Sequence, residues 1–203
     1  MKVLTSLSSL PLLRNPIVTL GTYDGVHTGH RAILTQIINK AKDTGKDSML
    51  ITFDPHPRQA LGLGEISLLS TLDEKIELLS QTGLDYLLVL PFTKEFSNQG
   101  ARDFISNVLI EQLNISEIIL GYDHKFGHNR EGDVQLLAEI LTKTNRFVTE
   151  IPAQDVDEII VSSTKIRTAL IQGEVESANR LMGYNYQIKG KVVTGKQLGR
   201  TIG

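Results

Sequence analysis

The 203-residue sequence predicts an α/β fold built on a doubly wound parallel sheet. Short apolar runs that end at Gly or Pro alternate with stretches whose apolar residues recur at helical spacing. Strands alternating with helices in this way give a parallel sheet covered on both faces. Hydrophobic residues make up 40% of the chain and charged residues 22%, an ordinary globular composition with enough apolar content for a core. No internal repeat or low-complexity segment breaks the alternation, and the length has room for one good-sized domain, or one domain plus part of another.

Residues 17–20 form an apolar run closed by Gly21, as in a buried strand. Over residues 29–42, Ile33, Leu34, Ile37, Ile38 and Ala41 fall on one helical face. Residues 49–53 predict the second strand. Thr71 and Glu74 have the spacing of a capping box ahead of a helix that carries Ile76, Leu78 and Leu79. Residues 86–90 predict the third strand, ended by Pro91. Residues 101–113 predict a helix with Phe104, Ile105, Val108 and Leu109 on its apolar side. Residues 118–120, ended by Gly121, predict the fourth strand, and a weaker helix and strand follow at Val134–Leu141 and Phe147–Ile151.

Net charge is −2 with no long run of one sign, so the basic footprint of a nucleic-acid binder is absent. There are no cysteines, which removes disulfides, thiol catalysis and thiolate metal sites. The opening MKVLTSLSSLPLL has a lysine and several leucines, but serines and Pro11 interrupt it and no small-residue cleavage site follows. No apolar stretch is long enough to span a bilayer. These features predict a soluble, cytoplasmic protein that associates with neither membrane nor nucleic acid.

In open α/β sheets, ligands bind beyond the carboxyl ends of the strands. Three polar loops lie at such ends: residues 21–30 and 121–133, which carry glycines, and 54–57, which carries two prolines. The first reads Gly21-Thr22-Tyr23-Asp24-Gly25-Val26-His27-Thr28-Gly29-His30 and leads from a strand into a helix. A helix N-terminus attracts anions because its first N–H groups are unpaired and the dipole is favourable. Gly29 lets a phosphate approach the backbone, and His27 and His30 add side-chain donors. The combination suits a nucleotide polyphosphate. Asp24, His27 and His30, each three apart, could alternatively face one metal ion, and a pair of surface-turn histidines is the plain structural alternative.

Phe53-Asp54-Pro55-His56-Pro57 ends the second strand in a loop stiffened by two prolines. Residues 121–133 carry glycines at both ends and in the middle with basic residues between, either a loop that closes on an anion or a solvated one. Ser162-Ser163-Thr164 heads a helix in which Arg167 falls one turn on. Such hydroxyls cap a helix or bind phosphate, and the guanidinium could fork onto the same anion.

The His27-Thr28-Gly29-His30 segment resembles the His-x-Gly-His signature of the nucleotidyltransferase superfamily. With Tyr23-Asp24-Gly25 before it, the Asp54-Pro55-His56-Pro57 loop and Ser162-Ser163-Thr164-x-x-Arg167, the chain resembles the bacterial bifunctional riboflavin kinase/FMN adenylyltransferase family, also called FAD synthetase. A cytidylyltransferase group shares the first motif but lacks the Asp-Pro-His-Pro loop. In the family a Phe is usual where His124 stands.

The resemblance implies a Rossmann-like adenylyltransferase domain over residues 1–185 that transfers AMP from ATP to FMN with Mg²⁺, without a covalent enzyme intermediate and without an expected direct protein ligand to the metal. It implies catalytic roles for His27, His30, Ser163, Thr164 and Arg167. Gly21, Thr22, Tyr23, Asp24, Gly29, Asp123 and Ser162 are expected on ATP. Phe53, Asp54, Pro55, His56, Pro57, Phe126, Arg130 and Asp133 are expected on FMN. Residues 186–203, with a strand expected at 189–193, resemble the opening of the family's β-barrel riboflavin kinase domain, and the Phe-Pro-Thr-Ala-Asn run of that domain does not occur before Gly203. The chain is therefore expected to be part of a longer protein. Another nucleotidyltransferase acting on a different phosphate monoester, or a non-catalytic nucleotide-binding protein, are the other readings.

Overall fold

The computed structural model describes residues 1–122, 124–152, 155–156 and 159–195. Six strands form one sheet: β1 (Lys2–Leu4), β2 (Ile17–Leu20), β3 (Ser48–Asp54), β4 (Tyr86–Pro91), β5 (Glu117–Gly121) and β6 (Phe147–Ile151). Their spatial order is β1-β4-β3-β2-β5-β6, and every neighbouring pair is parallel. The chain builds outward from β2 through β3 to β4, then crosses back to place β5 on the other side of β2. That reversal creates a crevice beyond the carboxyl ends of β2 and β5, where doubly wound folds bind their ligands.

Alternate strand residues feed two separate cores, the signature of a sheet buried on both sides. Val18, Leu20, Met49, Ile51, Leu88, Leu90, Ile118 and Leu120 pack with Phe104, Ile105, Val108 and Leu109 on one face. Ile17, Leu50, Leu87, Val89 and Ile119 pack on the other against Leu34, Ile37, Ile38 and Ala41 of helix α1 (Thr28–Thr44). Each such side chain contributes about 1.5–3 kcal/mol on burial. Gly45, at φ 65°, ends α1 in the left-handed conformation.

Two short helices, α2 (Pro57–Ala60) and α4 (Lys94–Ser97), edge the cleft, and α3 (Leu72–Ser80) begins with the expected capping box between Thr71 and Glu74. The helix expected over 101–113 starts as α5 (Ala101–Asp103) and continues with π winding over Phe104–Gln112. The apolar spacing specifies a helix there but does not separate α from π winding. Helix α6 (Val134–Leu141) matches its expected span. Helices α7 (Ser163–Ile171) and α8 (Val175–Met182) pair around Ile166, Ala169, Ala178, Leu181 and Met182, and Leu69 joins that cluster. A small antiparallel hairpin links β7 (Asp155–Val156) and β8 (Ile159–Ile160).

Residues 189–193 form no strand, and Ile188, Val192 and Val193 are exposed. An isolated strand has no neighbour for its backbone N–H and C=O groups and no sheet on which to bury a face.

Candidate functional site

The loop after β2 turns sharply. Tyr23, Gly25 and Val26 all have positive φ, and the Val26 N–H donates to the Tyr23 carbonyl at 3.2 Å. The turn buries Tyr23, whose hydroxyl lies 3.0 Å from Thr19 Oγ1 and whose ring lies 4.4 Å from that of His30. His30 stacks in turn on His27, centroid to centroid 3.6 Å. His27 is the N-cap of α1: its Nδ1 accepts the His30 backbone N–H at 3.3 Å, which assigns its own proton to Nε2. Gly29 leaves room for this arrangement, since a Cβ there would lie 3.3 Å from the His27 ring.

Both histidines are held neutral. Burial lowers the His27 pKa to about 4, with Asp24 opposing and Arg167 assisting. Burial likewise pushes His30 well below its ordinary value, helped by His27 and Lys75, and its Nδ1 is buried without a hydrogen-bond partner. Two neutral imidazoles at a helix N-terminus, in a field of nearby cations, are set to gain protons or donate hydrogen bonds when an anion arrives.

Asp24 is the hub that joins this loop to distant elements. Its carboxylate accepts the backbone N–H groups of Leu69 at 2.9 Å and Ser70 at 3.1 Å, and a hydrogen bond from Arg167 Nη2. Arg167 Nε also donates to the Ser67 carbonyl at 2.8 Å. Ser163 Oγ donates to the Asp24 carbonyl at 3.0 Å, and the Gly25 N–H donates to Ser70 Oγ at 3.0 Å. Tyr184, beyond α8, donates its hydroxyl to the Gly25 carbonyl at 2.5 Å, and Arg31 of α1 lies over its ring. Ser162 caps α7 by accepting the Lys165 N–H at 3.3 Å, while Thr164 is exposed beside it. The first loop and the head of α7, 139 residues apart at Asp24 and Ser163, therefore form one hydrogen-bonded unit.

At the end of β3, Asp54 and Pro55 are exposed and joined by a cis peptide bond. His56 caps the short helix that starts at Pro57 by accepting the Arg58 N–H at 3.2 Å, the plain structural role for that residue. Burial lowers its pKa, and it also feels Asp24, Lys75, Arg167 and Arg58. Phe53 contacts Phe92 and Phe96, which leads through Phe104 to Phe126 and then to the ring of His124. Phe53 at the end of β3 and Phe126 in the loop after β5 thus belong to one chain of aromatic contacts, whose middle ring, Phe104, is buried in the core. Phe126 also bridges Gly132. Asp133 is occupied elsewhere, as the N-cap of α6 and the ion-pair partner of Lys125 at 3.0 Å. Arg130 is exposed, with φ 60°. Asp123 lies outside the described residues.

Sequence reasoning missed the 67–75 segment, Phe92, Phe96 and Tyr184. Leu69 and Ser70 enter through backbone N–H groups, which no residue type advertises. Lys75 gave a usable signal: a lysine just inside a helix N-terminus opposes the helix dipole. It is buried at 7% exposure, and its Nζ donates to the Thr22 carbonyl at 2.7 Å. The alternative of a metal held by Asp24, His27 and His30 fits poorly, because the Asp24 carboxylate is already engaged by the Arg167 guanidinium and two backbone N–H groups. Among the described residues, no group of three or more His, Cys, Asp or Glu side chains could hold a metal ion.

Residues 11–165 match the family described as FAD synthetase. A bifunctional riboflavin kinase/FMN adenylyltransferase from Listeria monocytogenes is 37% identical over 192 residues, covering 93% of this chain and 60% of the relative. The protein of the same name from Escherichia coli K12 is 34% identical over 188 residues, covering 92% of this chain and 60% of its own. The chain thus spans about three-fifths of the length of these relatives. A solved structure titled as a macrolide-efflux protein from Streptococcus pneumoniae superposes over 99% of this chain and 66% of its own, with TM-score 0.84 and 25% identity. Pantothenate synthetase from Thermus thermophilus, 15% identical with TM-score 0.52, shares the fold over 90% of this chain and 81% of its own. Among the described residues, no helix is long and apolar enough to cross a membrane.

Proposed function

The chain belongs to the FAD synthetase family, and from that premise we propose that it transfers the AMP of ATP to FMN, giving FAD and pyrophosphate. The observation that carries the reading is the union of the histidine-bearing entry of α1 with the head of α7 through Asp24, Ser163 and Arg167. It surrounds a helix N-terminus with donors from both sides, as a triphosphate requires.

An oxygen of the FMN phosphate attacks the α-phosphorus of ATP. The bond from that phosphorus to the bridging oxygen breaks, and pyrophosphate leaves with the electron pair. Catalysis is positioning and charge stabilisation, with no covalent enzyme intermediate. His27 Nε2 and His30 serve the phosphates at the α1 N-terminus, with Gly21, Thr22 and Gly29 forming the floor. Tyr23 and Asp24, read from sequence as ATP contacts, act here as supports: Tyr23 backs the His30 ring, and Asp24 holds Arg167. Ser162, Ser163, Thr164 and Arg167 take the departing pyrophosphate. A guanidinium has five N–H donors, and Asp24 and Ser67 occupy only two of them. The half-buried rings of Phe53 and Phe126 serve the flavin together with the 54–57 loop.

Mg²⁺ belongs to this reading as the companion of ATP. It supplies charge neutralisation on phosphate oxygens and keeps water and phosphate as its main ligands. A cytoplasmic setting and small-molecule partners complete the proposal. The riboflavin kinase activity in the relatives' names is assigned to a domain whose opening corresponds to residues 186–203. The deciding experiment supplies FMN and Mg-ATP and follows FAD and pyrophosphate. FAD formation at one pyrophosphate per FAD is the expected result, and folded protein that yields none overturns the reading.

A further inference from the structure

Lys75 is expensive to keep where it is. The residue is buried at 7% exposure, and burial lowers its pKa. It sits just past the capping box of α3, where the helix dipole disfavours a cation. Yet among the described residues its one hydrogen bond goes to a neutral carbonyl, that of Thr22, at 2.7 Å. Among the described residues no carboxylate lies within ion-pair distance of it: Asp24 is taken by Arg167, Leu69 and Ser70. An ammonium has three N–H donors, so two remain without an acceptor among the described residues. A buried cation with spare donors calls for an anion.

Its position selects the anion. Lys75 is tied to the loop after β2 at Thr22, feels Asp54 at the end of β3, and acts on both His30 and His56. It thus anchors the head of α3 to the loop after β2, within electrostatic reach of the histidine corner and of the end of β3. The triphosphate already has the α1 N-terminus, Ser163 and Arg167. A phosphate monoester entering from the β3 side otherwise meets Asp54, which repels it. We propose that Lys75 is the binding and specificity-determining residue for the phosphate of the acceptor, so that it distinguishes FMN from unphosphorylated flavin. This inference rests on the adenylyltransferase reading above.

The test compares binding of FMN and riboflavin, by quenching of flavin fluorescence, to the wild-type chain, Lys75→Met and Lys75→Arg. Wild type should prefer FMN. Lys75→Met should lose about 10- to 100-fold in FMN affinity, the usual range for a charge-assisted hydrogen bond, while riboflavin binding stays within about 2-fold. Lys75→Arg should keep part of the preference. In turnover, the KM for FMN should rise and the KM for ATP should not. Equal losses for both flavins would reduce Lys75 to an anchor for the Thr22 carbonyl and overturn the proposal, as would a rise confined to ATP. If Lys75→Met does not fold, the side-chain ¹⁵N signal of Lys75 in wild-type protein decides: it should move with FMN and not with riboflavin, and a signal indifferent to FMN overturns the proposal. A wild-type chain that binds FMN but makes no FAD would fail the parent reading alone, since the flavin comparison stands without turnover.

Discussion

His27 and His30 lie face to face, their ring centroids 3.6 Å apart, and the His27 ring accepts the backbone N–H of the very residue it stacks on. The two imidazoles are therefore one rigid unit at the head of α1, backed on the far side by Tyr23.

The two members of that unit should respond differently to truncation. His30→Ala removes a donor and should cut turnover by roughly 10²–10³-fold, the usual loss for one preorganised group facing developing charge, with little change in unfolding temperature. His27→Ala should lose turnover similarly but should also lose the cap of α1, costing about 1 kcal/mol. Single-turnover rates and thermal unfolding of the two variants check this. A His30→Ala protein within a few-fold of wild type would return that residue to a packing role.

Arg167 and Asp24 separate a catalytic role from a structural one. Arg167→Lys keeps the charge but not the fork, so turnover should fall clearly while the fold survives. Asp24→Asn leaves the guanidinium without its carboxylate and should cost roughly 3–5 kcal/mol, as breaking a buried pair does; the 17% exposure of the Arg167 side chain favours the lower figure. Urea titrations and initial rates measure both. Full activity in Arg167→Lys would place that residue outside the phosphate site.

The chain should make FAD but not FMN. Residues 186–195 contribute no strand, and a lone segment without strand partners cannot build a β-barrel site. Incubation with riboflavin and Mg-ATP, analysed by chromatography, should show unchanged riboflavin. FMN appearing would place the kinase site within these residues and move the domain boundary.

What the sequence revealed and what it concealed follow from how each feature is encoded. The strands of the sheet centre were readable because they are buried on both faces, so that Ile17–Leu20 and Ser48–Asp54 are apolar runs between turn residues. β1 was not, since Lys2–Leu4 is a three-residue edge strand with two exposed positions. The histidine loop was readable because its chemistry is contiguous. The 67–70 segment was not, because it reaches Asp24 through main-chain N–H groups brought there by the fold. Asp133 shows the converse: an aspartate that caps a helix and one that waits for a ligand are the same letter.

Acid should loosen this site before it unfolds the rest. Burial lowers the His27 pKa from 6.5 to about 4, and His30 and His56 are lowered too. His27 stays neutral in the folded protein down to about pH 4, and His30 and His56 take up protons less readily than in the unfolded chain, where all three bind them below about pH 6.5. Between that value and about 4 the unfolded state therefore holds more protons, and stability falls as pH falls. Above about pH 7 the histidines contribute no slope. For His27 alone the full loss is on the order of 3 kcal/mol. Asp24 opposes it, and Arg167 and Lys75, which disfavour the charged imidazoles, deepen it. Thermal unfolding at pH 7.5, 6.0 and 5.0 should show a progressive fall in Tm. His27→Asn keeps an oxygen to cap α1 but cannot titrate, so its Tm should fall less over the same range. Bound Mg-ATP should flatten the wild-type profile as well, because a triphosphate beside the rings favours their protonated forms. A wild-type Tm that stays level to pH 5.0, or a His27→Asn profile parallel to it, would mean that these histidines already exchange protons freely with water in the folded protein.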